Sequence, residues 1–215
     1  MTDSTRTKDA LISSTSVIYE NVFIGNAVQI SEFCAIGKPS RDMTRHDRSR
    51  TTIGEKTMIG SYCLLYEGCS IGNNCLIRDY SSIGEDSILA NEVKVQYRAQ
   101  VNKRVSIGEN SRVGGFCCND SIIGNHCTMY GSLVHHYPKH GGCKKEKAPT
   151  LESGVIIAFG AIIAGNIIIG KNSYIGAGAI VTKDVPENSI VIGANKIFPK
   201  NLWKGRLEKT GKIDD

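Results

Sequence analysis

Residues 53–114 read IGEKTM IGSYCL LYEGCS IGNNCL IRDYSS IGEDSI LANEVK VQYRAQ VNKRVS IGENSR VG, and set out in sixes they fall into columns. The first column holds Ile53, Ile59, Leu65, Ile71, Ile77, Ile83, Leu89, Val95, Val101, Ile107 and Val113, aliphatic without exception. The same period runs upstream through Ile18, Ile24, Ile30 and Ile36. Downstream it holds at Ile123 and Met129, and again at Leu151, Ile157, Ile163, Ile169, Ile175 and Val181. That makes 23 aliphatic positions with three changes of register. The second column is glycine in 11 of them, where freedom at positive φ or lack of bulk relieves a repeated corner. The fifth column is small, and it holds six of the eight cysteines: Cys34, Cys63, Cys69, Cys75, Cys117 and Cys127. At such inward places cysteine serves as a small hydrophobe rather than a disulfide partner or metal ligand.

A period of six matches neither a 3.6-residue helix nor alternating strands with ordinary turns. It matches a short strand plus a corner, three times per coil, so that an 18-residue rung stacks on the next as parallel strands ~4.8 Å apart. Such a prism is narrow, which accounts for a composition with 23 glycines but one Trp and five Phe in 215 residues. The expectation is an all-β parallel β-helix of seven or eight coils. It divides into a lead-in at 1–17, the β-helix at 18–193 with loops near 38–52 and 135–150, and a capping segment at 194–215 with a short C-terminal helix. The formal charge of +5 is far from that of a nucleic-acid tail. No run approaches the ~18 apolar residues of a membrane span, and Met1–Ser16 is polar without an apolar leader segment. A cytoplasmic protein with no nucleic-acid or membrane partner is expected.

A regular stack is chemically inert, so the register breaks are where chemistry is expected. The first, KPSRDMTRHDRSRT at 38–51, carries Arg41, Arg45, Arg48 and Arg50, able to grip an anionic substrate through guanidinium forks. The plain alternative is a solvated loop whose charges pair with Asp42 and Asp47. The second break, at 114–122, is short and reads as a bulge or a tightened corner. The third, YGSLVHHYPKHGGCKKEKAPT at 130–150, holds His135, His136 and His140, with His126 just upstream. Three readings compete for these histidines: a general base, a zinc site on His135 and His140, and surface histidines in a basic loop.

The [LIV]-G-x-x-[small]-x pattern resembles the hexapeptide-repeat acyltransferases, whose fold is a left-handed parallel β-helix. The match is densest over 148–196, APTLESGVIIAFGAIIAGNIIIGKNSYIGAGAIVTKDVPENSIVIGANK. The resemblance implies an acetyl-CoA-dependent acetyltransferase, a homotrimer with sites between subunits, and no metal. It favours a catalytic histidine base, His135 or His136 first and His126 third. It also implies acetyl-CoA contacts at Gly160, Ala161, Ala177, Gly178, Thr182 and Lys183. Lys196 matches the family's terminal lysine, although the proline of the usual G-N-P-A-K is missing from GANK. With the arginine-rich loop, the implied acceptor is a small anionic molecule such as a nucleotide-linked amino sugar. Two other classes stay open: a zinc enzyme like the γ-carbonic anhydrases, and a catalytically silent β-helix scaffold.

Overall fold

The computed structural model describes residues 9–40, 49–135, 148–193 and 196–202. They form a parallel β-solenoid of about nine turns. Its strands fall into three sheets of eleven, nine and eight, one per face of a prism. Face I begins with Leu11–Ile12, face II with Val17–Ile18 and face III with Val22–Ile24. Consecutive coils pair in parallel and in register, as in Ile59↔Ile77↔Val95 on face I and Leu65↔Ile83↔Val101 on face II. The strands are two to four residues long, which is all that an 18-residue coil with three corners allows.

The first column of the hexad forms the core. Ile24, Ile36, Ile53, Ile59, Leu65, Ile77 and Ile83 are fully buried, stacked like on like along the axis. The fifth column closes each corner from inside, and its polar members are paired as buried polar groups must be. Ser87 Oγ donates to the Asn102 carbonyl at 2.7 Å and accepts from the Val105 N–H at 3.2 Å, one coil on. Thr57 makes the same two bonds to Gly72 O and Cys75 N. The thiols of Cys63, Cys69 and Cys75 take the donor role of those hydroxyls, pointing at the carbonyls of Arg78, Gly84 and Ala90 at 3.1–3.2 Å. All seven described cysteines are buried free thiols. Burial pushes Cys75, Cys117 and Cys127 above the ordinary thiol range and Cys69 to about 12.

Three departures from the hexad reading have local causes. The stack starts one step earlier, because Ile12 lies six residues before Ile18 and Leu11–Ile12 pairs with Gln29–Ile30. Second, two steps on the face I to face II corner shrink from six residues to four: Val113 to Cys117, and Met129 to Leu133. Cys117 therefore takes a strand place, between Val101 and Leu133, rather than a fifth-column corner. The tight corners demand glycine, since a Cβ on Gly115 would collide with the Gly131 carbonyl and one on Gly131 with the Ala161 carbonyl. Third, the chain after Val191 turns back. Lys196–Pro199 pairs antiparallel with Ser189–Ile192 and leads into one 3₁₀ turn at Lys200–Leu202. The short C-terminal helix expected within 194–215 is described only as far as this turn, and 203–215 lie outside the described residues.

Candidate active site

Both long interruptions leave the prism at the same edge, where face II turns into face III. The first departs after the Ala35–Lys38 strand and the second after Ser132–Val134. Between their roots runs a column of side chains two residues beyond the buried strand residue of face II: Glu67, Glu85, Lys103, Asn119 and His135. Gly165 and Lys183 continue the column beyond His135.

Glu67 and Glu85 are buried despite their charge. Ser40, at the root of the first interruption, folds back over them: its N–H donates to Glu67 Oε1 at 3.0 Å and its hydroxyl to Glu85 Oε1 at 2.8 Å. Lys103 Nζ reaches the same Glu85 oxygen at 3.2 Å. Burial alone would raise the Glu85 pKa. Backbone hydrogen bonding, the Ser40 hydroxyl and the Lys103 ammonium outweigh it and hold the carboxyl below its ordinary range. A cavity of about 270 Å³ opens here, lined by Tyr66, Ser82, Glu85, Asn102, Lys103 and Asn119. Gly84 forms part of its wall, and a Cβ there would meet the Asn102–Lys103 backbone at 2.6–2.7 Å.

His135 stands at the rim. Its Nε2 lies 2.8 Å from the carbonyl oxygen of Asn119, a cavity-lining residue. A carbonyl only accepts, so this contact places the proton on Nε2 and gives Nδ1 the lone pair in the neutral ring. The regular corner bond to that carbonyl position comes from a backbone N–H, as Asp120 N–H gives to Lys103 O. Here the imidazole fills that role, because the chain departs into the second interruption.

The other expected residues distribute unevenly. His126 is on a different corner, between faces III and I, where it adopts φ +56° in a column of left-handed corner residues that includes Asn74, Glu92 and Asn110. Its Nδ1 contacts Asn110 Nδ2 at 3.4 Å, so His126 and His135 do not converge on one centre. His136 and His140 lie outside the described residues, as do Arg41, Arg45 and Arg48. Arg50 lies on face III, with its guanidinium 5.0 Å above the Phe23 ring.

The residues assigned to acetyl-CoA divide between the two edges of face II. Gly160, Ala177 and Gly178 are exposed at the face I/II edge, and a Cβ at Gly160 or Gly178 would meet nothing within 4 Å. Thr182 and Lys183 are exposed at the face II/III edge, because the Ile180–Val181 strand crosses the face between them. Ala161 turns its methyl into the core, and its carbonyl is taken by the Ser132 N–H at 2.8 Å. Lys196 lies in the terminal antiparallel strand, and the structure describes only its backbone. Phe159 was not singled out by its sequence. It is 78% exposed beside Gly160, and its carbonyl accepts the Gly178 N–H.

The comparisons with known proteins agree with this architecture. The family model described as bacterial transferase hexapeptide (six repeats) matches residues 50–85 and 148–183. The chain thus carries the hexapeptide repeat that its sequence resembles, and the solved relatives of the same fold are acyltransferases. The solenoid superposes on the UDP-N-acetylglucosamine acyltransferase of Campylobacter jejuni with a TM-score of 0.57 at 14% identity, covering 93% of this chain and 81% of that one. For the Arabidopsis UDP-N-acetylglucosamine acyltransferase the TM-score is 0.53 at 18% identity, with 94% and 78% covered. Among curated sequences, the bifunctional protein GlmU of Thermodesulfovibrio yellowstonii is 28% identical over 202 residues, 92% of this chain. The GlmU of Clostridium botulinum type A is 27% identical over 206 residues, 94% of the chain. This chain spans 42% of the length of each.

Proposed function

We propose that this protein is an acetyltransferase that moves an acetyl group from acetyl-CoA to an amine or hydroxyl of a small acceptor, with His135 as general base. The observation that carries the reading is the position of His135. It lies between a polar cavity on one side and, two coils further along the same column, Thr182 and Lys183 on the other. Its ring is oriented by the Asn119 carbonyl, and its other nitrogen has acceptor character. In the reaction the acceptor nitrogen or oxygen bonds to the acetyl carbon while its proton passes to His135. The tetrahedral intermediate then expels the CoA sulfur, which takes that proton to leave as the thiol. Such a base is worth ~10²–10⁴ in rate, and backbone N–H groups facing the oxyanion would add to it.

Acetyl-CoA would lie along the last coils, where Gly160 and Gly178 leave the corner open and Lys183 and Lys196 offer charge to its phosphates. Arg41, Arg45, Arg48 and Arg50, at the first interruption, suit an anionic acceptor such as a nucleotide-linked amino sugar. Exposed Ile162 and Ile180 on face II support a homotrimer in which another copy covers that face. No described helix is long and apolar enough to cross a membrane, and a cytoplasmic location fits the cofactor.

The test is release of free CoA thiol from acetyl-CoA in the presence of a panel of free and nucleotide-linked amino sugars, with product mass checked for a gain of one acetyl group. Acceptor-dependent release supports the reading. No release with any acceptor, together with no thermal shift on adding acetyl-CoA or CoA, rejects it.

A further inference from the structure

The cavity between the two interruptions belongs to the regular part of the solenoid, and its wall has a specific chemistry. Glu85 is buried, ionised and already engaged on Oε1 by both Ser40 and Lys103. Its carboxylate keeps acceptor capacity on Oε2, and an ionised carboxylate can only accept. Around it stand Ser82, Asn102, Asn119 and Tyr66. Asn102 Nδ2 is given to the Cys117 carbonyl and Asn119 Oδ1 accepts from the Lys103 N–H, which leaves Asn102 Oδ1 to accept and Asn119 Nδ2 to donate. At about 270 Å³ the space falls just under the usual ~300–1,000 Å³ of small-molecule sites, the size of one ring rather than a whole nucleotide. Its Asn119 end touches His135, and its Glu85 end lies two coils back from Asn119 along the same column, about 10 Å at ~4.8 Å per coil.

We propose that this cavity is the acceptor pocket, that it takes a hydroxyl-rich, sugar-sized ring, and that Glu85, held by Lys103 and Ser40, is the residue that sets its specificity. The inference rests on the acetyltransferase reading for the direction in which the ring points. The hydroxyls face Glu85, and the reacting amine or hydroxyl emerges past Asn119 toward His135. Glu85 accepts from the ring and takes no part in the proton transfer. Any nucleotide attached to the ring would project outward, toward the first interruption.

The experiment measures sugar binding directly, without turnover, by saturation-transfer NMR on the whole protein. The probes are glucosamine, glucose and cyclohexylamine, which separate hydroxyls from the amine. Glucosamine and glucose are expected to bind and cyclohexylamine to give no signal. In Glu85→Gln and Lys103→Met, glucosamine should bind at least tenfold more weakly, while the thermal shift with acetyl-CoA stays within twofold of wild type in concentration dependence. Ser82→Leu fills the cavity from an outward strand position while keeping the Glu85 carboxylate, and it should abolish the glucosamine signal. Equal glucosamine binding in wild type and all three variants overturns the proposal, as does binding of cyclohexylamine but neither sugar. Failure of the acetyltransferase reading has a different signature: sugar binding that depends on Glu85, with no acetyl-CoA shift and no CoA release.

Discussion

His135 Nε2 lies 2.8 Å from the carbonyl oxygen of Asn119, so the imidazole holds a corner position that a backbone N–H holds one coil earlier. The ring is therefore oriented by the solenoid itself.

If that orientation serves proton transfer, His135→Ala should lower kcat with acetyl-CoA by about 100-fold or more while leaving the acetyl-CoA KM within a fewfold of wild type. His136→Ala and His126→Ala are the comparisons. His126 stands on another corner, and its alanine variant should keep wild-type turnover. Loss of less than tenfold in both the His135 and the His136 variants would remove the histidine base from the mechanism.

The two shortened corners predict a contrast between glycines. Gly115→Ala drives a methyl into the Gly131 carbonyl, and a backbone obstacle cannot move aside. A loss of about 3 kcal/mol or more is expected from urea midpoints, or failure to fold. Gly178→Ala meets open space, and its cost comes only from φ +67°, about 1–2 kcal/mol. Similar losses at the two sites would contradict the steric account.

Acid should weaken the fold partly through Glu85. A carboxyl whose pKa is depressed in the folded state contributes stability that is fully present above its unfolded value, 4.5, and lost as pH falls through the lower folded value. The urea midpoint of the wild type should therefore decline from about pH 4.5 downward. Glu85→Gln should show a shallower acid limb at the cost of a lower plateau near neutrality. Superimposable acid limbs would mean that the Ser40 and Lys103 contacts do not persist in solution.

The cysteines should behave as core atoms. In a Cys143→Ser background, the remaining seven thiols should be silent to Ellman's reagent in the native protein and react together on unfolding. Stoichiometric fast reaction of one or more thiols under native conditions would show that a corner of the stack opens.

The prism was legible in the hexads because its core is one residue deep. Every sixth side chain must fit the same narrow space, so Ile53, Ile59 and Leu65 announce the coil by repetition alone. The step at Val113–Cys117 shows in the sequence only as a short break, and that at Met129–Leu133 is hidden, since a four-residue corner removes two residues and the next aliphatic falls out of phase. Leu133 thus falls inside the third break of the hexads although it is fully buried. The cavity was hidden for a different reason. Glu67, Glu85 and Lys103 sit 18 residues apart at an outward hexad place, where charge is ordinarily solvated. The burial of Glu67 and Glu85 depends on Ser40 closing over them from a distant coil, a contact that no local pattern encodes. His135 was found because a histidine-rich interruption is conspicuous, but its separation from His126 needed the corner assignment.

That both interruptions spring from one edge of the prism has a consequence for how such a protein can change. Most other described corners are locked to the corners above and below them by left-handed residues and backbone bonds, so a lengthened turn there would break the ladder. At this one edge the chain leaves after Lys38 and again after Val134, and the strands rejoin in register each time. The edge works as a socket: segments of different length and charge can be exchanged there while the coils that carry the rest of the molecule stay as they are.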